Sequence, residues 1–262
     1  MNSQEILALF DKEQRQEVSY YNVLRREATP HVVRHIHRDP EQGESMVIYS
    51  SLTADNAAEV IQAEVAYFES IGHDFEWKVY DHDTPPDLRQ RLQAFGFEIG
   101  EQEAVMALDL NEAPDVLLQP IKHEVRRITD PAQIEDIVSV QQQVWPDEDF
   151  TTWLAHELQG NLQHNGQNIS IYAAYADGQP VSSAWITYHQ GSQFAGLWGG
   201  ATLPAYRGRG IYTALIAARL QEARQRGVRY LTIDASPMSR PIVQKHGFKF
   251  LTNTYPCKWR SK

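Results

Sequence analysis

At 262 residues, the chain holds material for one large domain or two modest ones, and its formal net charge is −10, from 24 Lys and Arg against 34 Asp and Glu. That acidic balance argues against general nucleic-acid binding and against attraction to anionic membranes. No apolar run nears the roughly 18 residues of a membrane-spanning helix, no basic and apolar leader opens the sequence, and the single cysteine, Cys257, rules out an intramolecular disulfide, so a cytoplasmic home is expected.

Residues 2–14 place Ile6, Leu7 and Phe10 on one side, the pattern of an amphipathic helix with Ser3 as its expected cap. Strand-like runs follow at 30–37 and 45–52. Between 55 and 70, apolar Ala58, Ile61, Val65 and Phe68 recur at helical spacing, with Asp55 placed to cap them. The run 75–81 (FEWKVYD) alternates as a strand does. Residues 85–95 open on prolines that suit a first helical turn, Gly96-Phe97 closes that helix, and 104–110 reads as a further strand. Asn, Pro and acidic residues over 111–120 mark a linker. The expected division is a first domain at 1–112, a linker at 113–120 and a second domain at 121–262.

The second half opens with a strand at 122–128. A helix over 131–145 is capped by Asp130 with Pro131 in first position, and 151–162 reads as a second helix after Pro146 and the acidic run Asp147-Glu148-Asp149. Strands at 169–176 and 181–188 join through Asp177-Gly178, a hairpin signal. The strand at 193–203 ends ahead of Pro204. Arg207-Gly208-Arg209-Gly210 then leads into a helix with Ile211, Ala214, Leu215, Ala218 and Leu220 at roughly helical spacing, and Gly227 supplies its stop. A strand at 228–234, a short helix at 239–246 and final strands over 248–259 complete the chain.

The stretch from 197 to 227 organises the rest. Two glycines ahead of a helix let backbone approach a ligand closely, and first-turn N–H groups have no intrahelical partner. With the helix dipole and the charges of Arg207 and Arg209, they make an anion site suited to a phosphate or pyrophosphate.

Read as a motif, Arg207-Gly208-Arg209-Gly210-Ile211-Tyr212 resembles the R/Q-x-x-G-x-G/A pyrophosphate loop of the GNAT acetyltransferases. It departs from that loop at Tyr212, where the family usually has Gly or Ala. The element order over 122–259 is similar to the family's order, and Gly247-Phe248 resembles the pair that ends its second motif. The resemblance implies an α/β fold of the α+β kind, a GNAT-like mixed central sheet flanked by helices. It implies acetyl-CoA as co-substrate, bound by Gly200, Ala201, Thr202 and Leu203 of the strand and by Arg207, Gly208, Arg209, Gly210, Ile211, Tyr212 and Thr213. A strand N–H within Gly200–Leu203 would serve the thioester oxygen.

The two halves also look alike. Strand, long helix, strand, short helix and Gly-Phe occur at 45–52, 55–70, 75–81, 85–95 and Gly96-Phe97, and again at 193–203, 211–226, 228–234, 239–246 and Gly247-Phe248. This suggests two related tandem units. The first copy's junction, Thr53-Ala54-Asp55-Asn56, lacks glycine and arginine, and Asp55 would repel a phosphate. The first half is therefore read as a truncated GNAT-like domain without a coenzyme loop.

The activity implied is N-acetyl transfer from acetyl-CoA to a primary amine of a small molecule or peptide, by direct attack in a ternary complex. Asp234, at the end of the strand after the central helix, is the candidate base; otherwise it caps a turn through Ser236. The Tyr that the family often places four residues before the Gly of Gly-Phe is Val243 here, which leaves Ser239, Tyr212 and Tyr255 as substitutes for the acid. The acidic run at 147–149 suits a cationic amine, or is solvated surface. His31, His35 and His37 form no metal pattern, and no metal is expected. Cys257 lacks a basic partner and reads as a strand residue. Two rivals stand beside the enzyme. One is a non-catalytic acetyl-CoA sensor or scaffold, favoured by Val243 and Tyr212. The other is a Rossmann-type nucleotide enzyme, against which Thr213 stands where a third glycine belongs.

Overall fold

Asn2 and Glu5 fold the chain's first turn into a capping box. Asn2 Oδ1 accepts from the Glu5 N–H (3.0 Å) and Glu5 Oε2 from the Asn2 N–H (2.9 Å), so the cap of α1 (Ser3–Phe10) is Asn2 and not Ser3. The computed structural model of the chain describes residues 1–20, 23–39 and 43–261. After α1 the helix continues as a π-helical stretch, Asp11–Gln16. Strands β1 (Val23–Ala28), β2 (Val32–His37) and β3 (Ser45–Ser50) follow, then α2 (Ala57–Ser70), β4 (Phe75–Tyr80), α3 (Leu88–Ala94), β5 (Glu98–Ile99) and β6 (Glu103–Asp109). Next come α4 (Asp115–Leu118), β7 (Glu124–Ile128), α5 (Ile134–Val144), α6 (Glu148–His164), β8 (Ile169–Ala176) and β9 (Gln179–Tyr188). The chain ends with β10 (Phe194–Thr202), α7 (Ile211–Gln225), β11 (Tyr230–Ala235), α8 (Arg240–Lys245) and β12 (Lys249–Trp259).

The elements gather into two compact units, Met1–Met106 with Asp234–Ile242 and Lys249–Lys262, and Ala107–Ile233 with Val243–Phe248. In the first, β1, β2 and β3 pair antiparallel in turn, β3 pairs parallel with β4, and β4 pairs antiparallel with β12, the chain's last strand. β1 escaped the sequence reading because VLRREA is half charged and half exposed. Ile61 and Phe68 of α2 join the buried cluster of Val47, Phe75, Trp77, Phe97 and Trp259. Phe68 stacks on Phe75 with ring centroids 4.0 Å apart. Cys257 is fully buried there, and burial pushes its thiol up to about 12, which removes the thiolate a nucleophile needs. α2 starts at Asn56 rather than on an Asp55 cap: the Thr53 N–H donates to Asn56 Oδ1 (2.7 Å) and the Asn56 N–H to Thr53 Oγ1 (3.3 Å).

In the second unit β7, β8, β9 and β10 run antiparallel and β10 pairs parallel with β11. The β8–β9 turn has positive φ at both Asp177 (51°) and Gly178 (77°), the primed geometry that matches strand twist. Ile134, Ile137, Leu154 and Leu158 of α5 and α6 pack on Ile169 and Ile171. The acidic run is the start of α6: Asp147 is its N-cap, accepting from the Phe150 N–H (2.9 Å), and Glu148 and Asp149 fill its first turn. Part of the stretch read as a linker is helical: Leu117 of α4 is fully buried, and Gln221 Nε2 donates to the carbonyls of Leu117 and Gln119 (3.0 Å each). Each unit thus contains a parallel strand–helix–strand crossover, β3–α2–β4 in one and β10–α7–β11 in the other.

Candidate active site

β10 leaves its parallel partner early. It pairs with β11 only over Phe194–Gly196 against Tyr230–Thr232, while its antiparallel pairing with β9 continues to Thr202 through a bulge between Trp198 and Ala201. A bulge removes ladder partners and re-aims side chains. Three glycines allow it. Gly199 has φ +61°, and any Cβ on it would run into the Trp185 ring. A Cβ on Gly196 would lie 2.6 Å from Trp198 Nε1, and one on Gly200 would lie 2.7 Å from Tyr212 Cε2. Two buried polar side chains hold the bulge. Gln141 Nε2 of α5 donates to the Gly199 carbonyl (2.7 Å) and to Ser183 Oγ (2.9 Å). Arg219 of α7, 1% exposed, donates from Nη1 to the carbonyls of Trp185 (3.2 Å) and Trp198 (3.5 Å). Burial draws the Arg219 guanidinium down to about 10.

The loop that follows turns at Pro204–Tyr206, where Arg207 Nε donates back to the Thr202 carbonyl (3.0 Å) and the Arg209 guanidinium lies 5.1 Å from the Tyr206 ring centroid. Gly208 (φ +71°) and Gly210 (φ +81°) are left-handed, and Gly210 is the N-cap of α7. A Cβ on Gly208 meets nothing within 4 Å and one on Gly210 meets His123 Nε2 at 3.5 Å, so backbone conformation rather than space demands glycine here. The first turn of α7 has no side-chain cap and no acidic residue. Its N–H groups and dipole are therefore available to an anion. The N-cap residue of α2 likewise makes no side-chain cap bond, but there the Asn56 N–H is taken by Thr53 Oγ1 and Glu59 lies in the first turn.

The sequence-derived residues distribute as follows. Gly200, Ala201 and Thr202 lie on β10, and the Leu203 N–H donates to the Val181 carbonyl (3.0 Å), which makes it unavailable to a thioester. Ile211 is buried as helix packing. Thr213 Oγ1 lies 3.1 Å from His246 Nε2, whose imidazole burial holds below its usual range. Tyr212 lays its half-buried ring against Gly200, and burial raises its hydroxyl, with Arg219 pulling the other way. Val243 is fully buried core.

Asp234 and Ser239 belong to the first unit. Asp234 forms an ion pair with Lys78 of β4. Burial works against the Lys78 ammonium, but Asp234, Tyr80 and Glu76 outweigh it and hold it well above the ordinary value. Burial pushes the carboxyl of Glu76 up and that of Glu103 to about 7. Ser239 Oγ donates to the Ser236 carbonyl (3.3 Å) and closes the turn before α8. The Tyr255 hydroxyl bonds Gln102 Oε1 (2.9 Å). Among the described residues no His, Cys, Asp and Glu cluster has the arrangement of a metal site. The sequence reading missed Gln141, Arg219 and His246, which act across the tertiary fold. The glycine and tryptophan alternation of GLWGG carried the one local signal.

Residues 131–248 match the family model of the acetyltransferase (GNAT) family. A GCN5-related N-acetyltransferase from Kribbella flavida is similar over 98% of this chain and 95% of its own, at 15% identity and a TM-score of 0.67. A functionally unknown conserved protein from Staphylococcus epidermidis reaches a TM-score of 0.71 at 12% identity, covering 98% of this chain and 100% of that one. A tandem GNAT protein from the clavulanic acid biosynthesis pathway covers 87% of this chain and 78% of its own, at 14% identity and a TM-score of 0.58. No curated protein matches the chain in sequence. At these identities the structural likeness is one of fold, and the family model adds the motif-bearing segment. Residues 131–248 thus match the acetyltransferase (GNAT) family, and the chain as a whole shares its fold with GNAT proteins, a tandem one among them.

Proposed function

We propose that the chain is an N-acetyltransferase that moves the acetyl group of acetyl-CoA to a primary amine by direct attack in a ternary complex. The observation that carries this reading is the left-handed Gly208 and Gly210 loop opening onto the uncapped N-terminus of α7, beside the bulge of β10. Arg207, Gly208, Arg209, Gly210, Ile211, Tyr212 and Thr213 would hold the diphosphate through backbone N–H groups, the helix dipole and the two guanidinium charges. Backbone over Gly200–Thr202 would orient the thioester arm. The coenzyme supplies an acetyl thioester whose C–S bond breaks as the amine's C–N bond forms. The amine must lose a proton and the leaving sulfur can take one.

For the donor we assign Tyr212 rather than Ser239. Tyr212 keeps its proton because burial disfavours the phenolate, and its ring rests on Gly200. Asp234, which pairs with Lys78, is proposed as the proton acceptor. Tyr212 filling the space over Gly200, with Val243 in the core, also favours a second reading, a non-catalytic acetyl-CoA sensor.

Calorimetry with acetyl-CoA on the full chain, followed by a mass-spectrometric transfer assay on primary amines, decides between them. The enzyme reading expects binding and an acetylated amine. It also expects Tyr212→Phe to lower kcat by about 10²-fold, the low end for a proton donor, with coenzyme affinity unchanged. Binding without transfer to any amine supports the sensor, and no binding at all removes both.

A further inference from the structure

Four of the chain's six tryptophans lie between residues 145 and 198, and the second unit brings these four to one cleft. The cleft has a volume of about 640 Å³ and is lined by Trp145, Trp153, Trp185 and Trp198 with Phe150. Three of these indoles face solvent: Trp145 is 52%, Trp198 43% and Trp153 40% exposed. Side chains this apolar normally contribute burial, so a cluster of them at the surface marks a binding surface. Their positions are held. The Trp198 indole N–H donates to Thr187 Oγ1 (3.0 Å), Trp185 occupies the room left by Gly199, and Phe150 packs against Trp153 with centroids 5.8 Å apart.

The polar groups of the cleft are few. The Gln141 amide nitrogen is engaged by Ser183 and Gly199. The charged group in the lining is Asp147, whose Oδ1 caps α6. A hydroxyl-rich ligand would bury groups that find no partner here, which costs affinity. A cation with an apolar body gains twice, from indole faces through cation–π attraction and from the Asp147 carboxylate. Gly199 of the bulge also lines the cleft, so an occupant's amino group can reach the strand at which the thioester is proposed to lie.

We propose that this cleft is the acceptor site and that the acceptor is a primary amine on an aromatic or bulky apolar body, rather than a polyamine or an amino sugar. The assignment rests on the acetyl-transfer reading for the acceptor's role but not for its binding.

The test is calorimetry on the full-length protein, with and without CoA, using 2-phenylethylamine, putrescine, glucosamine and benzyl alcohol. The expected result is that 2-phenylethylamine binds at least about tenfold more tightly than putrescine or glucosamine. Trp153→Ala and, independently, Trp145→Ala should each weaken it about tenfold; both side chains are exposed, so the fold should tolerate their loss. Asp147→Asn, which still caps α6 through its amide oxygen, should weaken the amine and leave benzyl alcohol unchanged. Equal or tighter binding of putrescine or glucosamine overturns the proposal, and so does unchanged 2-phenylethylamine affinity in both folded tryptophan variants. Amine binding without any acetyl-CoA binding leaves the cleft's ligand class standing and removes acetyl transfer; the reverse removes the cleft and leaves the coenzyme loop.

Discussion

Gly210 shows how one residue joins stability to binding. Its φ of +81° lies where an L side chain meets its own carbonyl, at a cost of roughly 1–2 kcal/mol. Gly210→Ala is therefore expected to lose about 1 kcal/mol of unfolding free energy by urea titration. It should also weaken acetyl-CoA at least about tenfold by calorimetry, because the methyl stands where backbone must approach a diphosphate. Full coenzyme affinity in the folded variant would place the phosphates elsewhere. Tyr212 teaches the complementary lesson. A ring replaces the small residue usual at that loop position, and Gly200 opposite gives up its own side chain to make room. The two positions are physically one, and neither is interpretable without the other.

At the scale of elements, buried charges tie helices to their sheets. In the first unit the π-helical stretch after α1 sends Arg15, 1% exposed, to Asp83 through two bonds of 2.7 and 2.8 Å, with Nε donating to the Ile48 carbonyl (3.1 Å). Its guanidinium stacks over Tyr80 at 3.8 Å. Such a pair need not exceed an apolar core in net stability, but removing one member strands the other charge. Arg15→Ala is expected to destabilise by about 3–5 kcal/mol. Arg15→Ala with Asp83→Ala should recover part of that loss, which stability curves of the single and double variants would reveal. Additive losses would show the pair to be uncoupled. In the second unit Arg219 binds the carbonyls of Trp185 on β9 and Trp198 on β10 rather than a carboxylate.

For the molecule as a whole, acidity makes pH the informative variable. The Glu103 carboxyl titrates near 7 in the folded chain, raised by burial with Asp234 and Glu76 adding to it and Lys78 opposing, against an ordinary 4.5 when unfolded. Between these values the folded state holds a proton that the unfolded state has lost, so stability falls as pH rises through the window from 4.5 to 7. Glu103→Gln removes that penalty. The variant should match wild type near pH 4.5 and exceed its melting temperature at pH 8, with the gap opening across the window. A constant gap at all pH values would show that Glu103 does not carry the proton.

Local chemistry wrote much of this protein legibly in its sequence. Gly208 and Gly210 ahead of a helix, Asp177-Gly178 between alternating runs and Asp130-Pro131 at a helix start each act through their own backbone, and each was read without a structure. The repeated strand–helix–strand order was legible for the same reason, since apolar periodicity is local. What depends on distant partners was not. β12 pairs with β4 across well over a hundred residues, and Leu117 turns a polar stretch into an ordered helix by being buried. Gln141 and Arg219 look like surface residues of amphipathic helices until the β10 bulge presents carbonyls to them. Sequence alone determined that a glycine turn leads into a helix in the second half. Only tertiary structure decided that the glycines of β10 make room for indoles, because a side chain's absence has meaning only once its neighbour is in place.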